Sequence, residues 1–271
     1  MATTTSPTGA KGAATAGPDW YLVAPSAHVK PGQQIRRLLH GKPVLVGRTL
    51  ERQLFAMRDI CPHRLVPLSA GRQVKTAGEM TVECPYHGWR FGTDGVCRLI
   101  PSLMEDDPYT ASDFKVAAYD AVEASGALFV REARSAQVQK LEDFAGISPP
   151  DLWVSGPVTA ECDLPHLQDE IWLRLGWRSS GDGAHFEAAD APARHLFRAP
   201  ARRETIAESG GWTAQRLTGP RGSLTLLVAL TPETDTTTKA HIAIWWQGSA
   251  WFTPVSGAFR RTAERYLAEK T

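Results

Sequence analysis

Short alternating apolar and polar runs fill the first half of the chain. Residues 42–59, KPVLVGRTLERQLFAMRD, contain two apolar runs around a polar turn, and residues 119–132 repeat this hairpin pattern with a Ser-Gly pair at the tip. The Asp-Gly pair at 94–95 is a strong tight-turn signal. No long helical periodicity interrupts these runs. The pattern therefore predicts an all-β domain over residues 19–133.

The pattern changes after residue 133. Residues 134–152 contain a short run compatible with a helix, which the prolines at 149–150 would end, and we assign them as a linker. Strand-like runs return at 205–217, 222–230 and 239–247. Residues 153–271 are therefore predicted to form a separate domain.

The end of the chain, AFRRTAERYLAEKT, has helical spacing. Four residues fall on one apolar face of this predicted helix: Phe259, Ala263, Tyr266 and Leu267. Together with the strand-like runs before it, this helix makes the second domain α+β. Seven of the nine tryptophans lie after residue 150. They can be core residues or can line an apolar pocket.

Composition excludes some classes of partner. The 271 residues carry a formal net charge of +1, so the sequence shows no basic surface for nucleic acid. No apolar run approaches the roughly 20 residues of a membrane span. Residues 1–18 are rich in small residues, predict a disordered tail and show no secretion signal. These features indicate a cytoplasmic protein in a reducing compartment, where cysteine and histidine pairs favour a metal site over disulfides.

Two short motifs supply metal ligands. Cys61 and His63 lie in the first motif, and Cys84 and His87 lie in the second. Two thiolates and two imidazoles can bind one tetrahedral Zn²⁺. They can also bind a [2Fe–2S] cluster, with two Cys on one iron and two His on the other. Spacing alone leaves both options open.

The residues around these motifs resemble the Rieske domain of Rieske-type non-haem iron oxygenases. Residues 61–72, CPHRLVPLSAGR, are similar to the first cluster loop of that family. Residues 84–101, CPYHGWRFGTDGVCRLIP, are similar to its second cluster loop and the hairpin that follows. Residues 19–29, DWYLVAPSAHV, are similar to its entry strand. The resemblance covers residues 19–133. It implies that Cys61 and Cys84 bind one iron of a [2Fe–2S] cluster and that His63 and His87 bind the other. The segment between the loops is longer than usual, which predicts a longer hairpin at 73–81. Cys97 is expected to be a small buried residue.

The resemblance also implies the fold of the second domain, the activity and the partners of the protein. Residues 230–246, LTPETDTTTKAHIAIWW, are similar to a strand-turn-strand segment in the vanillate-demethylase-like branch of the family. The whole chain therefore resembles the terminal oxygenase (alpha) subunit of that branch, with a shortened C-terminal domain. That domain would be helix-grip-like. The family takes electrons from a separate reductase or ferredoxin, acts on a small organic substrate with O₂, and forms homotrimers. No glycine-rich nucleotide motif after a strand is present in this sequence, so the reductase would be another protein.

The family motif for a second, mononuclear Fe(II) does not align intact. Glu187 and Asp190 fit the two acidic positions, but the two histidine positions hold Ala193 and Arg198. The weaker candidate ligands are His185 and His195, with Asp182 or Asp190, while His166, Glu264 and Glu269 lie in no recognisable motif.

Three functions therefore remain open from the sequence. The first is an oxygenase that carries out monooxygenation, dioxygenation or oxidative demethylation. The second is an electron-transfer or accessory protein that has lost the mononuclear iron. The third, a binding or redox-sensing module, ranks last, because a Rieske cluster by itself favours electron flow.

Overall fold

The computed structural model describes residues 14–15, 20–132, 141, 149–179, 185–188, 201–209, 211–220, 222–248 and 257–271. The predicted linker helix at 135–148 lies outside these residues, apart from residue 141. The limits of the predicted domains remain predictions.

The first half of the chain is built from two antiparallel sheets. The six-stranded sheet has the order β2-β11-β10-β5-β4-β3, with the strands β2 (Tyr21–Pro25), β3 (Gln34–Leu39), β4 (Lys42–Arg48), β5 (Leu54–Arg58), β10 (Ala118–Ala124) and β11 (Ala127–Arg131). The four-stranded sheet has the order β6-β7-β8-β9, with the strands β6 (Arg72–Thr76), β7 (Glu79–Glu83), β8 (Arg90–Gly92) and β9 (Cys97–Leu99). Three short 3-10 helices, Ser26–His28, Leu68–Ala70 and Ala111–Asp113, connect the strands.

The predicted hairpins are confirmed. β4 pairs with β5, and β10 pairs with β11 around the Ser-Gly tip at 125–126. The longer hairpin expected between the two motifs is also present, because β6 pairs with β7 across a turn at Ala77 and Gly78. Both turn residues have positive φ, 49° and 88°, which is the backbone twist that favours a two-residue hairpin.

The second half forms one large sheet and two helices. Its strands follow the order β12-β18-β17-β16-β15-β14-β13, and β1 pairs with β15 off this path. The strands are β1 (Ala14–Thr15), β12 (Leu152–Thr159), β13 (Trp177–Ser179), β14 (His185–Ala188), β15 (Ala201–Ser209), β16 (Trp212–Gly219), β17 (Gly222–Pro232) and β18 (Thr237–Gly248). The helices are α1 (Leu164–Arg174) and the C-terminal helix α2 (Ala258–Glu269).

Two expectations about these segments have different outcomes. All four apolar-face residues of the C-terminal helix are buried, as the periodicity predicts. The disordered tail expected over residues 1–18 stays a prediction, although Ala14–Thr15 pair in parallel with Ala207 and Glu208 of β15. Backbone pairing with a sheet edge does not depend on the side chains of the added strand, so a small-residue segment gives no sequence signal for it.

Both faces of the large sheet are buried, because successive apolar side chains of its central strands point alternately to one face and to the other. Leu224, Leu226 and Val228 of β17 face a core shared with α1 and α2. Leu227 and Ala229 point the opposite way, into a second core. The helices therefore cover one face of this sheet and the first half of the chain covers the other.

The second core joins the two halves. It contains Trp20, Leu22 and Phe129 from the first half and Trp212 and Trp245 from the second. Hydrogen bonds between the halves accompany it. The His40 N–H donates to Pro232 O at 2.9 Å, the Gly41 N–H to Glu233 O at 2.8 Å, and the Thr231 hydroxyl to Leu22 O at 2.5 Å.

The tryptophans of the second half serve mainly as core residues. Trp172, Trp177, Trp212 and Trp245 are buried, Trp153 and Trp246 are partly buried against the cores, and Trp251 lies outside the described residues. Neither described helix has the length and continuous apolar surface of a membrane-spanning helix.

Candidate metal centre

Loop 1, which we define as residues 61–68, follows β5 and turns sharply back on itself. The Cys61 N–H donates to Val66 O at 2.9 Å, and the Leu65 N–H donates to Cys61 O at 2.9 Å. Leu65 adopts a left-handed backbone with φ 59°, which is unfavourable for a residue with a side chain. These contacts turn the tip of loop 1 towards solvent.

Loop 2, residues 84–89, connects β7 to β8. The Cys84 N–H donates to Trp89 O at 2.7 Å, and the Gly88 N–H donates to Cys84 O at 3.2 Å. Gly88 has φ +69°, and a Cβ at this position would lie 3.2 Å from Cγ of Pro101. The glycine therefore allows both the turn and the close approach of the following segment.

The two loops bring all four predicted ligands together. Cys61 and Cys84 are only 1% and 3% exposed, and they share an apolar core with Leu68, Trp89 and other residues of the first half. His63 and His87 lie on the exposed side of the loops, with ring centroids 4.7 Å apart. The sulfur donors thus face the interior and the imidazoles face solvent.

The surroundings of Cys61 and His63 disfavour the charged form of each side chain. Burial raises the pKa of the Cys61 thiol to about 11, the backbone N–H groups of His63 and Arg64 oppose this effect, and the neighbouring Cys84 adds to it. Burial, His87 and Arg64 all lower the pKa of His63, so its ring favours the neutral form that binds metal. Two adjacent buried sulfurs and two imidazoles are the donor set of a Rieske cluster.

Aromatic rings frame the two imidazoles. Trp89 stacks on His63 with centroids 5.0 Å apart and planes 6° apart, and Tyr86 lies 3.9 Å from the His87 ring. Phe114 meets the edge of Trp89 at 5.0 Å. These contacts restrict how the ring of His63 can turn.

The surface around the imidazoles is partly apolar. A cleft of about 370 Å³ opens beside His63 and is lined by residues such as Ile100 and Phe114. Leu65, Tyr86 and Tyr109 expose large parts of their side chains on the surrounding loops. We call these three residues, with His63 and His87, the histidine face. Exposed apolar side chains grouped in this way are typical of an interaction surface.

The candidate ligands for a second iron are only partly covered by the described residues. His185 lies in β14 with its backbone opposite Arg202, and nothing is described of its side chain. Asp182, Asp190 and His195 lie outside the described residues, as do Ala193 and Arg198. Within the ranges that the structure does describe, no three His, Cys, Asp or Glu side chains are arranged to bind a single metal ion.

The other acidic and histidine candidates have surface ion pairs. His166 lies on the exposed side of α1, with Nε2 3.6 Å from Oε2 of Glu170. In α2, Glu264 pairs with Arg260 at 3.5 Å and Glu269 pairs with Arg174 of α1 at 2.9 Å. Their positions do not bring them to one site.

Sequence reasoning missed two acidic residues next to the loops. Asp59 lies two residues before Cys61, and Glu83 lies immediately before Cys84. Both carboxylates make ion pairs with arginines, Asp59 with Arg36 and Glu83 with Arg72 and Arg90. An acidic residue shortly before each cysteine was the available signal, but Arg36 lies 23 residues from Asp59 and Arg72 lies 11 residues from Glu83.

Comparisons with known proteins agree with this geometry. Residues 19–120 match the signature of the Rieske [2Fe-2S] domain. This part of the chain is therefore a Rieske domain, the class of domain that carries a [2Fe–2S] cluster.

Cys97 is buried, as expected.

Two of the similar proteins are named as a demethylase and an oxygenase. Methylxanthine N3-demethylase NdmB of Pseudomonas putida is 32% identical over 151 residues, which are 55% of this chain and 39% of that protein. Chlorophyllide a oxygenase of Chlamydomonas reinhardtii is 35% identical over 132 residues, 49% of this chain and 19% of that protein. The matched parts thus span well under half of these relatives.

The likeness in fold extends further than the likeness in sequence. Apo dicamba monooxygenase matches with a TM-score of 0.65 over 93% of this chain and 85% of that chain, at 19% identity. The likeness in fold to dicamba monooxygenase therefore includes the second half of this chain as well as the first.

Proposed function

We propose that this protein is the terminal oxygenase component of a multicomponent Rieske system. In this proposal Cys61 and Cys84 bind one iron of the cluster, and His63 and His87 bind the other. The observation that carries the proposal is the arrangement of these four donors, with buried sulfurs and exposed imidazoles, in a chain that shares its fold with dicamba monooxygenase over 93% of its length. When bound, the cluster supplies one-electron transfer.

The histidine face supports a role for electron exchange with another protein. Its imidazoles lie at the surface among exposed apolar side chains, so a donor can approach them closely. The buried environment of Cys61 and Cys84 excludes water from the opposite side. We propose a reductase, a ferredoxin or both as the electron donor.

The substrate class and the assembly belong to the same proposal. Relatives are named for methylxanthine and for 3-chlorobenzoate, so we propose a small organic, ring-containing substrate that reacts with O₂. The sequence likeness of residues 230–246, which form the end of β17, a turn and most of β18, is the ground on which we propose the vanillate-demethylase-like branch. We further propose a mononuclear Fe(II) in a helix-grip-like second domain, and a homotrimer.

An electron-transfer or accessory protein is the second candidate. The presence of Ala193 and Arg198 at the histidine positions of the family motif favours it. Such a protein would keep the cluster and would use the second domain for docking or binding.

Metal content distinguishes the two candidates. The protein would be purified anaerobically after iron supply, and iron and acid-labile sulfide would be counted per chain alongside EPR of the reduced form. About three irons with two sulfides are expected for the oxygenase. Two irons with two sulfides would instead support the electron carrier. Zinc without sulfide would refute both.

A further inference from the structure

The two cluster loops are closed at their bases in different ways. At the base of loop 2, β7 and β8 pair, with Glu83 opposite Arg90. Loop 1 follows β5 and leads to the 3-10 helix Leu68–Ala70. β5 pairs with β4 and β10, whereas β6 pairs with β7, so among the described residues no strand pairing joins the segments before and after loop 1. The Cys61–Val66 backbone bond closes the loop near its tip, and the flanking residues need a further contact.

The Asp59 side chain bridges the ends of loop 1. Its Oδ1 accepts the backbone N–H of Ser69 at 2.6 Å, and its Oδ2 accepts the Ser69 hydroxyl at 2.7 Å. Nη1 of Arg36 donates to the same Oδ2 at 3.1 Å. The carboxylate has 0% exposure, whereas the Arg36 side chain is 45% exposed. The carboxylate thus makes across loop 1 the connection that backbone pairing makes across loop 2.

Strand β3 holds the far end of loop 1 from the same side. Nε2 of Gln34 lies 3.2 Å from Leu68 O, 3.3 Å from Ser69 O and 3.2 Å from Gly71 O. Leu68 is wholly buried in the core that contains Cys61 and Cys84. Movement at Ser69 would therefore be transmitted directly to the packing around the sulfurs.

Glu83 provides a matched comparison. It lies one residue before Cys84, and its Oε1 and Oε2 bind Arg72 and Arg90 at 2.7–2.9 Å. It resembles Asp59 in charge and in its distance from a cysteine. It differs because the backbone of β7 and β8 closes loop 2 without it.

We propose that Asp59 is a positioning residue for the cluster, whose carboxylate closes loop 1 and so fixes Cys61 and His63 relative to the ligands of loop 2. The inference rests on the proposed function, because it requires a cluster between the loops. Asp59 is two residues from Cys61, a chain distance of at most about 7 Å, so its bonds act directly on the loop. Groups that orient metal ligands typically change metal affinity or activity about 10- to 100-fold when removed.

The test compares Asp59→Ala, Asp59→Asn and Glu83→Ala in the cluster-loaded full chain. Asn can still accept the Ser69 N–H through Oδ1 and can donate to the Ser69 hydroxyl, so it keeps the bridge while losing the charge. The measurements are the rate of sulfide and iron release to a chelator, and the EPR g-values of the reduced cluster. Far-UV circular dichroism of each variant reports retention of the fold.

Asp59→Ala should release the cluster about 10-fold faster or more and broaden the EPR signal. Asp59→Asn and Glu83→Ala should stay within about fivefold of the wild type, the most that a partly exposed ion pair normally contributes. If Asp59→Ala fails to fold, Ser69→Ala should give faster release and Ser69→Thr, which keeps the hydroxyl, should restore it.

Two results would overturn the proposal. Equal release from Asp59→Ala and Glu83→Ala would show that loop 1 does not depend on the bridge. Equal effects of Asp59→Asn and Asp59→Ala would show that charge, not closure, is what matters. A wild-type protein without sulfide would refute the cluster itself, an outcome that is separate because it appears before any variant is compared.

Discussion

At the residue scale, His241 of β18 has an unusual environment for a histidine. Its ring is buried, and its Nδ1 lies 2.9 Å from the hydroxyl of Ser155, which in turn accepts the indole N–H of Trp153 at 2.8 Å. Its Nε2 has no hydrogen-bond partner among the described residues. Burial, with smaller contributions from Lys239 and Arg37, lowers the pKa of His241 to about 3. The folded protein therefore keeps this ring neutral.

This histidine should make the protein less stable in mild acid. Below the unfolded-state pKa of about 6.5, the unfolded chain binds a proton that the folded chain excludes, so stability falls as pH drops from about 6.5 towards about 3. Between pH 7 and pH 5, the free energy of unfolding of His241→Gln should therefore fall by about 2 kcal/mol less than that of the wild type. Urea unfolding at each pH measures this difference. The exposed His28 provides the control variant His28→Gln, and equal pH slopes in wild type and His241→Gln would contradict the prediction.

Some residues could be predicted from sequence and others could not. The four proposed cluster ligands lie within two short motifs, so local spacing and residue type were sufficient to propose them, and their role as ligands stays a prediction. The bridge from Asp59 to Ser69 and the burial of His241 depend on partners at least ten positions away, which no local pattern specifies. Asp182, Asp190 and His195 stay predictions as iron ligands.

At the scale of elements, the sequence pattern predicted the hairpins of the first half and the C-terminal helix α2. It did not predict α1, and it treated residues 205–217 as one strand-like run where the structure has β15 and β16. The alternation in β17 and the four-residue face of α2 follow from which side each residue presents to a core. The strand β1 had no such signal. The order of strands in the large sheet also could not be read from the sequence, because it depends on which edges meet in three dimensions.

The start of β6 depends on a close approach between two elements. A Cβ on Gly71 would lie 1.9 Å from the carbonyl oxygen of Glu83, immediately before loop 2. Gly71→Ala should therefore force the backbone apart, lower the free energy of unfolding by about 3 kcal/mol and reduce sulfide content per chain.

The control for Gly71→Ala is Gly41→Ala. Gly41 has φ +70° and no atom within 4 Å of the added Cβ, so only backbone strain of about 1 kcal/mol is expected there. Urea unfolding and sulfide assay would compare the two variants. A similar loss of sulfide in both would show that the contact with Glu83 is unimportant.

At the scale of the whole molecule, the shared core should make the two halves unfold together. Phe129 packs against Trp212 with ring centroids 5.2 Å apart, and the Thr231 hydroxyl bonds to Leu22 O across the same boundary. Cluster absorbance reports the first half, and tryptophan fluorescence mostly reports the second, where seven of nine tryptophans lie. In the wild type these two signals should change at one urea concentration.

Weakening the boundary should separate these transitions. Phe129→Ala removes a buried ring and should lower the free energy of unfolding by about 3–5 kcal/mol. Thr231→Val keeps the shape but leaves a buried carbonyl without its hydroxyl partner, which should lower it by about 1–3 kcal/mol. The exposed Thr236→Val serves as the control. Coincident signals in Phe129→Ala would argue that other contacts hold the halves together.

The core between the halves also has an evolutionary consequence. Because Phe129 and Trp212 fill one space from two separate segments, a change of volume at one position favours a compensating change at the other. Homologous sequences should therefore show covariation between these two positions. Chimeric proteins that combine the first half of one homologue with the second half of another should be rare among natural sequences.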